Sequence, residues 1–113
     1  MQAAAPPAPP APPAPPRIEL PSSSAAYLNN PRPPYPPLSM RLGEQGKVVL
    51  RVFIEVDGTA SRAEVGTSSG YERLDQTAVQ TALRWRYVPG KRAGVPEAMW
   101  ANVPIVFELR YAQ

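Results

Sequence analysis

The sequence predicts an α+β fold: a three-stranded antiparallel sheet, ordered second-first-third, packed on one face by a long helix and a short N-terminal helix, behind a disordered proline-rich tail. Three patterns carry this. Lys47–Val56 alternates apolar and polar residues at period two ahead of an Asp-Gly pair, Leu74, Ala78, Ala82 and Trp85 recur at helical spacing, and Met99–Arg110 alternates again.

Residues 1–16 read MQAAAPPAPPAPPAPP, a repeat with nothing to pack. Proline fixes φ and lacks an N–H, so the tract favours an extended polyproline II spacer of about 3 Å per residue. A tail without a role, or a ligand for a proline-binding domain through its PxxP spacing, are the alternatives. Residues 17–34 stay rich in Ser, Asn and Pro and continue as loop, extended at most over Ile18–Leu20. The expected organisation is therefore a linker over 1–34 and one domain over 35–113. No run approaches the ~18 apolar residues of a bilayer-spanning helix, so this stretch is expected to make no membrane contact.

Tyr35–Gly43 predicts the short helix: prolines suit its first turn, Leu38, Met40 and Leu42 anchor it, and Gly43 takes the left-handed stop. Along Lys47–Val56, Val48, Leu50, Val52, Ile54 and Val56 form the buried face of the first strand, and Lys47, Arg51 and Glu55 the other. Asp57-Gly58 turns the chain into a weaker second strand, Thr59–Thr67, with Ala63 and Val65 inward. Ser69 and Glu72 stand at capping-box spacing and open the long helix, whose stripe, widened by Val79 and Leu83, covers the sheet. Trp85 and Tyr87 close one end of the core, and Pro89-Gly90 stops the helix. Arg84, Arg86, Lys91 and Arg92 then complement the helix's negative end, a reading preferred to a phosphate site. Beyond the turn Gly90–Glu97, the third strand Met99–Arg110 turns Ala101, Val103, Ile105, Phe107 and Leu109 inward. The first strand is the most apolar and should be central. Pro104 cannot donate to a ladder, which makes the third strand an edge.

Composition removes most chemistry. The chain has no Cys and no His, so disulfides, thiolate nucleophiles, imidazole bases and the commonest zinc ligands are all missing. Asp57 in a turn, Glu72 in a cap and Asp75 in the first helical turn each have structural duties, so neither catalysis nor a cofactor or metal is expected. The net charge is +3, but cations and acids interleave, and no nucleic-acid partner is expected.

Taken together, the series YP, GKVVLRVFIEVDG, SSGYERLD, ALRWRYVPGK and VPIVFEL, over about residues 31–110, resembles the C-terminal domain of TonB-type energy transducers. Trp-Arg-Tyr followed by Pro-Gly-Lys is its most specific piece. The resemblance implies a periplasmic domain of a protein anchored in the inner membrane. There an N-terminal anchor helix would meet an ExbB/ExbD-like complex, and the proline stalk would carry this domain to the TonB box of an outer-membrane transporter. The implied work is coupling proton motive force to uptake of a siderophore, haem, vitamin or similar cargo. The alternative is a TolA-like envelope-spanning transducer, or a sensor or peptidase-fused module of the same fold. Whether the domain forms a homodimer through its open sheet edge stays open.

Box binding by strand addition would use the third strand, since main-chain bonds carry such binding. Pro104 orients it: if its nitrogen points away from the first strand, Val106, Glu108 and Arg110 also turn their backbones outward. Val103, Ile105, Phe107 and Leu109 then hold the template from the core side. Tyr35 and Arg32 join the expected partner-binding residues through the resemblance. Arg32 stands three residues before Tyr35, where the best-known member of the family carries Gln.

Overall fold

The computed structural model describes residues 15–25 and 28–111, with Pro6, Pro9 and Pro12. The expected disorder of the Ala-Pro-Pro tract falls largely outside these residues. In chain order the elements are β1 (Ile18–Glu19), α1 (Pro37–Leu42), β2 (Gly46–Ile54), β3 (Ala60–Thr67), α2 (Glu72–Arg84), β4 (Gly90–Arg92), β5 (Val95–Glu97) and β6 (Met99–Phe107), ending in a 3-10 turn at Leu109–Tyr111.

The main sheet runs β3-β2-β6, antiparallel throughout, which is the expected order. Its centre is β2 because β2 alternates most strictly: Val48, Leu50, Val52 and Ile54 are all fully buried. They pack with Leu74, Ala78 and Ala82 of α2, with Val103, Ile105 and Phe107 of β6, and with Tyr87. Val56, expected on this face, is exposed, because it has left the strand for the turn. That turn is a three-residue loop, Val56–Gly58, closed by Glu55 N–H to the Thr59 carbonyl (2.8 Å). Asp57 Oδ1 accepts from both the N–H and the hydroxyl of Thr59, and these bonds hold its carboxyl below the usual range. Val65 shares the helix side with Leu50, its partner on β2, yet it remains exposed.

Helix α1 differs from expectation. Leu38, Met40 and Leu42 are exposed, and the residue it buries is Ser39. Apolar residues two apart cannot share a helix face, since successive positions turn by about 100°. The anchor is Tyr35, whose ring meets Phe107 edge-on at 5.5 Å and whose hydroxyl donates to the Glu44 carbonyl. Gly43, at φ 72°, does terminate α1 as expected.

The capping box of α2 does not form. Tyr71 is the N-cap and makes no side-chain cap, and Glu72 bonds Gln76 instead. Asp75, one turn in, reaches back to the preceding loop and accepts from the Ser68 hydroxyl, the Ser69 N–H (2.9 Å) and the Ser69 hydroxyl (2.7 Å). Burial alone would raise the Asp75 carboxyl, but these three donors outweigh it and hold it low. A folded-state pKa below the unfolded value contributes stability that is present above about pH 4 and lost as pH falls through the folded value. Asp75→Asn is therefore expected to destabilise the domain by about 1–2 kcal/mol at neutral pH. It should also flatten the acid limb of the stability curve. Urea melts between pH 2 and 7 that superimpose in slope on the parent would refute this.

The helix ends at Arg84, well before Pro89. Its next donors are taken elsewhere: Arg86 N–H by Asn30 Oδ1 (2.8 Å), Tyr87 N–H by the Gly58 carbonyl (2.9 Å) and Val88 N–H by the Ser22 carbonyl (2.8 Å). Tertiary partners, not the proline, stop it. Only Arg84 lies in the last turn, because the chain beyond is extended and Arg92 pairs with Glu97 (3.1 Å). Leu83, expected in the buried stripe, is exposed.

A second sheet, β1-β4-β5, was not expected. The segment Gly90–Glu97 is a tight hairpin whose turn residues Ala93 and Gly94 sit at φ 51° and 79°. Ile18 and Glu19 pair with Arg92 and Lys91, and Ser22 bridges Val88. Thus residues 17–34, assigned to the linker by composition, bond the domain at several points N-terminal of Tyr35.

Candidate functional site

The outer edge of β6 is the candidate site. β6 pairs with β2 in unbroken register from Gly46↔Phe107 to Ile54↔Met99. The Glu55 N–H bond to Thr59 shows that odd-numbered β2 residues turn their backbones toward β3. Even-numbered ones therefore face β6, and their partners there are odd: Val103, Ile105 and Phe107. Pro104, opposite Val49, fits this parity, since its nitrogen has nothing to give β2. Trp100, Asn102, Pro104 and Val106 consequently turn their backbone groups outward. Among the described residues, no strand of the main sheet lies beyond β6.

Val103, Ile105 and Phe107 are buried and lock the strand from the core side, as expected. Glu108, Leu109 and Arg110 depart from expectation: β6 ends at Phe107, so Glu108 and Arg110 are not ladder positions and Leu109 is not an inward strand residue. The chain bends because Leu109 N–H is taken by Gln45 Oε1 (3.3 Å) and Arg110 folds back on Glu108 (2.6 Å). Glu108 and Arg110 still share one place. An open cleft of about 540 Å³ is lined by Lys47, Val106, Phe107, Glu108 and Arg110, where β6 leaves the sheet. Tyr35 reaches the same end through Phe107. Arg32 is exposed and follows Pro31, whose carbonyl accepts Trp85 Nε1–H (2.8 Å). Farther along, a cleft of about 460 Å³ lies between Pro104 and the residues Ser23, Ala25 and Asn29.

The sequence reading missed the other end of the edge. Trp100 meets Phe53 at 5.3 Å, and the Arg51 guanidinium lies 4.8 Å from the centre of the Trp100 ring. The signal was present: Trp100 falls at an even position, on the face opposite the core. Among the described residues no group of His, Cys, Asp and Glu could hold a metal ion. The edge offers main-chain donors and acceptors beside aromatic and cationic side chains, which suits an extended peptide.

Comparison with known proteins gives the family of the chain. The family model described as Gram-negative bacterial TonB protein C-terminal matches residues 31–109. Protein tonB2 of Pseudomonas aeruginosa is 51% identical over 89 residues, covering 79% of this chain and 33% of that protein. Protein TonB of Vibrio cholerae is 32% identical over 78 residues, covering 69% of this chain and 32% of its own. The chain thus spans about a third of the length of these curated relatives. The solution structure of the Helicobacter pylori TonB C-terminal domain overlays with a TM-score of 0.49 at 22% identity, covering 67% of this chain and 79% of that one. The chain belongs to the TonB C-terminal family.

Proposed function

We propose that this domain is the periplasmic, receptor-gripping end of an energy transducer anchored in the inner membrane. The box peptide of an outer-membrane transporter adds to β6 as a further strand, and an ExbB/ExbD-like complex drives the protein through its N-terminal anchor. The proline tract acts as the spacer between them. Uptake of a siderophore, haem, vitamin or similar cargo is the process served. The observation that supports this reading most is the parity of β6, which turns the backbones of Trp100 and Asn102 away from the sheet while Val103, Ile105 and Phe107 hold the strand rigid.

The test compares two prolines on neighbouring residues. Asn102→Pro removes an outward donor and leaves the β2 ladder whole, whereas Val103→Pro removes a bond to Leu50 at the sheet's centre. Asn102→Pro is expected to weaken binding of a transporter's periplasmic box peptide by about tenfold, the loss of roughly one good hydrogen bond, with a near-parental melt. Val103→Pro should unfold the domain. Amide shifts that bypass residues 100–107 on titration, or parental affinity in Asn102→Pro, would overturn the mechanism.

A further inference from the structure

Where the tail enters the domain, it is fastened along residues 85–93 in two unlike ways. The outer fastening is thin. The Arg17 carbonyl accepts Ala93 N–H (2.8 Å), Ile18 and Glu19 pair with Arg92 and Lys91, and Ser22 exchanges two backbone bonds with Val88 (3.1 and 2.8 Å). Apolar burial adds little to it, since Ile18 is 50% and Leu20 71% exposed. The inner fastening centres on Asn30. Its Nδ2 donates to the Arg86 carbonyl (2.7 Å), its Oδ1 accepts Arg86 N–H (2.8 Å), and the neighbouring Pro31 carbonyl accepts Trp85 Nε1–H (2.8 Å). A few residues on, Tyr35 packs against Phe107 of β6. Among the described residues, the hydrophobic core takes nothing N-terminal of Tyr35, and β4 keeps β5 as a partner if β1 leaves.

We propose that residues 17–22 are a strap that load on the tail strips from residues 88–93, and that Asn30 is the latch at which stripping stops. The tail enters at the Arg17 end of the paired segment, so the strap's few bonds are loaded one after another, with almost no apolar contact to resist. At Asn30 the two bonds to Arg86 must break together, with the Trp85–Pro31 bond beside them. The strap also holds slack. Stretched, the chain from Arg17 to Asn30 reaches about 45 Å, whereas the segment it lies along, residues 86–93, spans only about 23 Å. Stripping therefore lengthens the tail by at least about 20 Å while the main sheet and the outward backbone of β6 stay as they are. Past the latch, load passes through Tyr35 to Phe107, in the strand proposed to hold the peptide. Asn30 thus separates a compliant tail from a stiff grip. The source of the load rests on the proposed function; the order of release does not.

Pulling the single chain tests it. The sequence has no Cys, so Gln2→Cys and Asn102→Cys give two attachment points, one on the tail and one on β6. The chain should yield in a reversible step of at least about 20 Å before the domain unfolds. Adding Asn30→Ala should lengthen that step by roughly 5–15 Å, because stripping then runs on toward Tyr35. Amide exchange on the parent chain without load gives the second readout. Ser22, Val88 and Ala93 should exchange at least about 100-fold faster than Leu50, and at rates that low urea leaves unchanged, as local opening requires. A single unfolding event with no early step, an early step of the same length in the Asn30→Ala chain, or exchange at Val88 and Ala93 as slow as at Leu50 would overturn the proposal. None of these measurements contains a peptide, so a failure of peptide binding at β6 would count against the proposed function and leave the strap standing.

Discussion

Gly58→Ala is expected to lower the thermal midpoint by about 15 °C, far more than any other alanine placed at a turn of this domain. Gly58 has φ 84°, where an alanine is strained by about 1–2 kcal/mol. A methyl group there would also run into the Tyr87 carbonyl oxygen, a backbone atom that cannot rotate away. Relieving that overlap adds about 1–3 kcal/mol. The Gly58 carbonyl accepts the Tyr87 N–H at 2.9 Å, so any retreat of the turn breaks the bond that ties the β2–β3 loop to the chain after α2. Gly70 is the control. Its φ is 97°, but nothing lies within 4 Å of the added carbon, so Gly70→Ala carries backbone strain alone. Calorimetry should place the two variants about 10 °C apart. Equal midpoints would mean that the approach of the loop to Tyr87 contributes nothing.

The contrast between Gly58 and its neighbours shows where the sequence was legible. Asp57-Gly58 announced a turn, and the alternation of β2 and β6 announced which side chains were buried, because period two is a direct image of a half-buried strand. Pro104 marked both the edge and its backbone parity, since a missing donor is visible in the sequence itself. Features set by individual hydrogen bonds and turns, and not by periodicity, were not legible. Arg86 leaves the helix because Asn30 binds it, and Asp75 rather than Glu72 satisfies the loop before α2 because Gly70 turns Ser68 and Ser69 over it. The β4–β5 hairpin escaped notice because Ala93-Gly94 lacks the Asn or Asp of the usual two-residue turn. At the site, the outward direction of even positions was readable from Pro104. The end of the strand was not, since Gln45 bends it at Leu109.

Tyr87→Ala is expected to destabilise the domain by about 4 kcal/mol, and Trp85→Ala by roughly half as much. Both aromatics close the core in sequence terms, yet only Tyr87 is nearly sealed, at 3% exposure, while Trp85 is half-buried and spends its N–H on Pro31. Tyr87 also donates its hydroxyl to the Ala82 carbonyl at 2.7 Å, filling a position that the broken helix leaves open. Tyr87→Phe keeps the ring and abandons that carbonyl, so a loss of about 1–2 kcal/mol is expected. Urea midpoints should therefore fall in the order parent, Phe, Ala. Burial pushes the Tyr87 phenol up, which gives a second readout. With its folded pKa above the unfolded one, its contribution is intact below about pH 10 and is lost as the solution becomes more alkaline. Tyr87→Phe should remove that part of the alkaline loss. The residue matters for the proposed function as well, because its neighbours Arg86 and Val88 bind Asn30 and Ser22, where the tail enters the domain. A transducer pulled through its tail would load this junction first. Tyr87→Ala should accordingly raise amide exchange at Ser22 and Val88 before it does so at Leu50. Uniform exchange across the three, with Tyr87→Phe as stable as the parent, would show that the phenol neither caps the helix nor holds the tail.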